Sequence, residues 1–144
     1  MATGVQVVFD CAEPAKLAEF WASALGYQLE PPPPGFDTWE EWALQAGLPR
    51  EQWDAYSAAV DPDGVGPRLF FQRVPEPKSV KNRVHLDVNV GGPRGTPDAE
   101  RRPRIAEAVA RLTALGATRL RELDDVTGHC VVMRDPEGNE FCLQ

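Results

Sequence analysis

Asp135-Pro136-Glu137-Gly138-Asn139-Glu140-Phe141-Cys142-Leu143-Gln144 ends the chain as a tight turn running into a short alternating strand. An earlier stretch repeats that plan: Asp61-Pro62-Asp63-Gly64, and then Leu69-Phe70-Phe71-Gln72. In both turns the aspartate side chain is placed to bond its own backbone, so Asp61 and Asp135 are read as turn formers without chemistry. Working outward, each turn is preceded by a helix-like stretch stopping at Leu-Gly, at Leu25-Gly26 and at Leu115-Gly116. Each of these is preceded by a strand-like run, Val5-Gln6-Val7-Val8-Phe9-Asp10 and Val84-His85-Leu86-Asp87-Val88-Asn89. Parts recurring in one order are the mark of an internal repeat, and the uneven spacing between counterparts means that each copy carries its own insertions.

The first helix is expected over 14–25. Pro14 suits a first helical position, and Leu17, Phe20, Trp21, Ala24 and Leu25 form one buried stripe. Gly26 fits the left-handed stop. The second is expected over about 103–115, striped by Ile105, Ala108, Val109, Leu112 and Leu115, with the Gly- and Pro-rich stretch from Gly91 to Pro103 as an exposed loop.

Alternation along the strands carries the functional reading. Val5, Val7 and Phe9 share one face, and Gln6, Val8 and Asp10 the other. Val84, Leu86, Val88 and Val90 oppose His85, Asp87 and Asn89; Glu140, Cys142 and Gln144 oppose Phe141 and Leu143; Phe70 and Gln72 share a face. The apolar faces should pack on the striped helices. The opposite faces would then line a cup, or lie open to solvent as one face of an antiparallel sheet often does. Residues 31–60 interrupt the first copy. After four prolines, Asp37 is expected to cap a short helix, with Glu40 in the capping-box place and Gly47 as its end, and Pro49 opens a further turn carrying Trp53 and Tyr56. With Phe36, Trp39 and Trp42, this segment is either a packing element or an aromatic lid.

Composition bounds the function classes. A single domain over 144 residues can bury a sizeable core without staples. Fifteen Lys and Arg against 22 Asp and Glu leave a net charge of −7, which argues against nucleic-acid and anionic-membrane partners. No apolar run approaches a membrane span and the N-terminus lacks a signal-peptide pattern. Cys11, Cys130 and Cys142 are read as reduced thiols, the latter two as small buried fillers, which gives a cytoplasmic expectation. His129 is expected to be solvated at the start of the penultimate strand.

Paired βαβββ modules, each with a Leu-Gly helix end, and the closing Asp135-Pro136-Glu137-Gly138-Asn139 resemble the vicinal oxygen chelate superfamily of glyoxalases, extradiol dioxygenases, epimerases and bleomycin-resistance proteins. The segments Pro67–Glu76 and Lys81–Asp87 resemble its glyoxalase-like branch. The resemblance implies an α+β fold: modules over about 4–76, with the insertion 31–60, and 82–144, forming a curved mixed-sheet cup with helices outside. It also implies a divalent metal ligated from the first and last strands of each module, which places candidate ligands at Gln6, Gln72, His85 and Cys142. The superfamily usually has carboxylates where Gln72 and Cys142 stand. Two amides, one imidazole and one thiol suit zinc better than magnesium, manganese or nickel. Glu140 is the nearest carboxylate and the one catalytic candidate. The expected ligand pocket comprises Gln6, Val8, Asp10, Trp39, Phe70, Gln72, His85, Asp87, Glu140 and Cys142. Three readings follow: a metal-dependent lyase or dioxygenase acting on a small molecule, a metal-free, resistance-type protein that sequesters one, or a degenerate module kept as a dimeric interaction domain. A homodimer is expected in each case.

Overall fold

The computed structural model describes residues 1–144. The first strand read from the sequence becomes β1 (Val7–Cys11), followed by α1 (Pro14–Leu25), β2 (Gln28–Leu29), α2 (Trp39–Gln45), a 3-10 turn (Arg50–Gln52), β3 (Tyr56–Val60) and β4 (Leu69–Arg73). The second copy gives β5 (Leu86–Val88), α3 (Asp98–Ala114), β6 (Thr118–Asp125), β7 (Gly128–Arg134) and β8 (Glu140–Leu143). The chain divides into two compact units, Met1–Pro77 and Lys78–Gln144. Each holds one open four-stranded sheet, ordered β1-β4-β3-β2 and β5-β8-β7-β6. In both, the first strand runs parallel to the last and the remaining pairs are antiparallel. The repeat legible in the sequence is therefore a repeat of topology, and the fold is α+β with mixed sheets.

In the first unit α1 covers the face carrying Phe9, Leu69 and Phe71. Leu17, Phe20 and Trp21 are all buried, and the Trp21 ring lies 5.2 Å from that of Phe9, which stacks on Phe71 at 5.1 Å. Gly26, at φ +69°, ends the helix in the left-handed conformation, its N–H donating to the Ala22 carbonyl. Asp61 accepts from the N–H groups of Asp63, Val65 and Gly66, as expected of a turn former. Gly66 is fixed by space as well: a Cβ there would fall 1.9 Å from the Tyr27 hydroxyl.

Several sequence expectations shift. Val5 and Val84 stand outside the strands and are exposed, since neither finds a ladder partner. The interruption at 31–60 is shorter than read, because Tyr56–Val60 is β3, the central partner of β4; its small Ala58 and Ala59 hid a strand whose core contribution is their complete burial. The short helix is capped one residue later, by Thr38 accepting from Glu41 N–H, while Glu41 reaches back to the Asp37 N–H. The threonine's extended backbone suits the N-cap place. In the second unit the helix begins at Asp98, with Pro103 inside it. A mid-helix proline costs about 3 kcal/mol. Asp98 and Glu100 in the first turn complement the helix dipole and pair with Arg102 and Arg104 one turn on, which offsets part of that cost. Ile105, Ala108 and Leu112 are buried, Val109 is half-buried, and Leu115 is left exposed at the helix end.

His129 departs most from its expectation. It is 6% exposed, because its strand position faces α3. An Arg102 N–H points at Nδ1 from 3.2 Å, making that nitrogen the acceptor, and the same guanidinium is held by Asp98 and Asp124. All three cysteines are free thiols, and no helix is long and apolar enough to cross a membrane.

Candidate functional site

In each unit the sheet face turned away from its helix gathers the polar residues singled out in the sequence, and the two faces differ in what those residues do.

On the first unit's sheet, ladder register sets Val8 beside Phe70 and Asp10 beside Gln72, with Tyr56 flanking Gln72 and Ala58 flanking Phe70. Gln72 Nε2 donates to Asp10 Oδ1 at 2.7 Å. Gln6 Oε1 accepts from Arg68 Nη1 at 2.8 Å. Arg68 in turn forms a two-pronged ion pair with Glu30, through Nε at 2.9 Å and Nη2 at 2.6 Å, and lies over the Phe70 ring. Phe70 stacks on Tyr56 at 5.7 Å. Trp39 sits beside this face: its indole N–H donates to the Glu30 carbonyl and its ring packs edge-on against Trp42. Arg68 and Glu30 went unread in the sequence, and Tyr56 was read as part of the insertion rather than of a strand. Arg68 could have been found from its place two residues before Phe70, on the same strand face; Tyr56 was hidden with β3.

On the second unit's sheet, Asp87 and Cys142 are ladder partners in parallel β5 and β8, and His85 precedes Asp87 by two residues. His85 Nε2 stands 3.3 Å from Asp87 Oδ1, both side chains being about half exposed. The donor atoms of His85, Asp87 and Cys142 all lie within 4.8 Å of one another. Burial pushes the Cys142 thiol up to about 12, with the neighbouring Cys130 and the Asp87 carboxylate adding to the shift. The group is therefore a thiol at neutral pH, beside Asp87 and Cys130. Glu140 lies two residues before Cys142 on the same face but is paired with Lys81, and that hydrogen bond holds its carboxyl below the usual range. Asn82 fixes its backbone by accepting the Glu140 N–H. Gln144 extends the face with a hydrogen bond to Asn89.

The donor chemistry decides which residues suit a divalent ion. Gln6 presents its amide oxygen to a guanidinium, which leaves it a poor donor to a cation; Gln72 bonds Asp10 through its NH2, and its remaining oxygen is uncharged and thus a weaker ligand than a carboxylate. Imidazole, carboxylate and thiol in one cluster suit a borderline-soft ion such as zinc, whose bonds to N, O and S donors are about 2.0–2.3 Å. Such a set leaves a coordination position open for a ligand. Magnesium and manganese prefer oxygen-only sets and are poorly matched.

Residues 6–144 match the glyoxalase-like domain family, and the chain belongs to it. The solved structures of similar fold include the fosfomycin resistance protein FosX from Listeria monocytogenes, at 12% identity over 99% of this chain and 93% of that one, with a TM-score of 0.63. A variant of that FosX has been solved with Mn(II) and 1S,2S-dihydroxypropylphosphonic acid. A glyoxalase/bleomycin resistance protein/dioxygenase family enzyme from Burkholderia phytofirmans PsJN is 14% identical over 96% of this chain and 94% of its own, with a TM-score of 0.59. The oxidase ChaP-H2 is 12% identical over 99% and 92%, also at 0.59. At such identities the likeness is one of fold. Nothing among the curated proteins matches the sequence.

Proposed function

We propose that the protein is a glyoxalase-like enzyme that binds a small, oxygen-rich molecule at a zinc-class metal held by His85, Asp87 and Cys142. The observation that carries this reading is the convergence of those three donor types within 4.8 Å on one sheet face. A bound zinc ion supplies Lewis acidity to ligand oxygens without redox chemistry, which favours a lyase-type reaction over dioxygenation. The chain's own residues do the rest. Asp87 brings the one carboxylate to the cluster, His85 brings a neutral nitrogen, and Cys142 must give up its thiol proton to serve as a ligand. Glu140, ionised and ion-paired to Lys81, is a base held beside the cluster rather than a ligand. This set differs from the Gln6, Gln72, His85 and Cys142 quartet implied by family position: Asp87 replaces both amides. Turnover of the methylglyoxal–glutathione adduct is not expected. A homodimer, formed through open sheet edges, and a cytoplasmic setting belong to the same reading; light scattering giving a monomer mass at micromolar concentration would remove the dimer from it.

Cobalt substitution tests the metal set. Cobalt bound by a thiolate gives an intense near-ultraviolet charge-transfer band. The band should appear in the wild-type protein and vanish in Cys142→Ser, while the cobalt d–d bands survive weakened. No band at stoichiometric cobalt would reject the reading.

A second reading has its own observation. The Arg68, Phe70 and Tyr56 stack offers an exposed aromatic surface edged by Trp39, suited to holding a flat molecule without metal. Under it, a metal-free protein would retain an aromatic ligand and lose it in Tyr56→Ala.

A further inference from the structure

A cleft of about 370 Å³ opens at one end of the second unit's sheet, between the segment entering β5 and the β7–β8 turn. It is lined by Lys78, Ser79, Lys81, Arg134, Glu137 and Glu140. In a chain of net charge −7, three cations against two carboxylates is an inversion of local charge. The pairing inside the cleft sharpens it. Glu140 is committed to Lys81. The Lys78 ammonium turns back onto the Val80 carbonyl, a neutral partner that leaves its charge uncompensated. The Arg134 guanidinium has no hydrogen-bond or ion-pair partner, yet its field, with that of Arg121 on β6, reaches Glu140. The two carboxylates of the cleft, Glu137 and Glu140, thus leave its three cations with positive charge in excess.

We propose that this cleft binds a doubly charged oxyanion group of phosphoryl type carried by the substrate, with Arg134 as its main anchor and Lys78, Lys81 and Ser79 as further donors. A planar guanidinium grips two oxygens of such a group at once, whereas a lysine contributes a single point of charge. The cleft lies beside the metal candidate, since Glu140 and Cys142 are alternate residues on one face of β8, about 7 Å apart by strand rise. An anionic group anchored at Arg134 would therefore present the oxygen-bearing end of a small molecule to His85, Asp87 and Cys142. That placement as a substrate subsite rests on the proposed function; the affinity for anions does not.

The test uses the whole, metal-stripped protein and inorganic phosphate at pH 8 and fixed low salt, followed by amide chemical shifts in two-dimensional NMR. Shifts should saturate and centre on residues 78–81 and 134–140. Arg134→Gln should weaken binding at least tenfold, and Glu140→Gln should tighten it a few-fold by freeing Lys81. Arg94→Gln, a charge loss on an exposed loop elsewhere, should change it less than twofold. Acetate should bind at least tenfold more weakly than phosphate. Non-saturating shifts, or equal losses in Arg134→Gln and Arg94→Gln, would overturn the proposal by reducing it to general attraction. Acetate binding as tightly as phosphate would overturn the doubly charged class. Because no metal is present, failure here leaves the cobalt result standing, and failure of the cobalt test leaves this one standing.

Discussion

The two sheets share strand order and register, yet the same three places hold different chemistry. Where the second unit has His85, Asp87 and Cys142, the first has Val8, Asp10 and Gln72, with Asp10 beside Gln72 on the ladder as Asp87 is beside Cys142. In one, an imidazole and a thiol turn the carboxylate into part of a donor cluster. In the other, a valine removes the nitrogen, and the amide of Gln72 satisfies the carboxylate with a 2.7 Å hydrogen bond. Gln6, matched to His85 by motif, falls two residues before Val8, where Arg68 claims its oxygen. Topology is copied between the units; whether a site forms depends on three side chains and on what their neighbours already hold.

Core substitutions should show the largest effects and treat the units alike. Trp21→Ala removes a fully buried α1 ring packed on Phe9 and Phe20, and Phe141→Ala empties the buried β8 position that corresponds to Phe71 in the first unit. Each should cost about 3–5 kcal/mol in chemical denaturation. A loss under 1 kcal/mol for either would break the claim that both helices close equivalent cores.

Building the missing donors is the next step down. Val8→His with Gln72→Cys places imidazole and thiol around Asp10. Val8 is already about half exposed, so the histidine needs no cavity. The double variant should take up a second equivalent of zinc, at least tenfold more weakly than the first, because Arg68 stays nearby. An unchanged stoichiometry would mean that the ladder register does not define the site.

Arg68→Met should be milder. Its partly exposed pair with Glu30 and its contact with Gln6 should cost about 1 kcal/mol in all, without altering zinc affinity. The smallest effect should come from Asp61. Three backbone N–H donors hold its carboxyl below the usual range. A lowered folded value stabilises above the unfolded value, about pH 3.9, and that contribution is lost as the pH falls through the folded value. Asp61→Asn should therefore be less stable than wild type near neutrality, and the gap should close in acid. A gap that widened on acidification would reverse the assignment.

Much of this frame was legible in the sequence because it rests on local signals. Pro14 and Gly26 bound the first helix, stripes identify its buried side, and paired Asp-Pro turns expose the repeat. What stayed hidden depends on tertiary company. Pro103 reads as the end of a loop and the start of the helix until the ion pairs of Arg102 and Arg104 are seen around it, in a helix that begins at Asp98. Tyr56–Val60 carries two alanines and becomes a strand only through pairing with β4. His129 reads as solvated until α3 supplies Arg102. For the candidate site, alternation placed His85 with Asp87 and Cys142 with Glu140 on their faces. Motif order could not reveal that Arg68 and Asp10 occupy the two glutamines, because those hydrogen bonds join residues 62 positions apart.

The claim that metal-binding capacity lies in the second unit alone is tested most directly by calorimetric zinc titration of four proteins: wild type, Gln6→Ala/Gln72→Ala, His85→Ala and Cys142→Ser. The account predicts one zinc per wild-type chain, an affinity within threefold of wild type in the double glutamine variant, and at least a hundredfold loss in each of the other two. A comparable loss in the glutamine variant would contradict it, because the ligands would then come from both units.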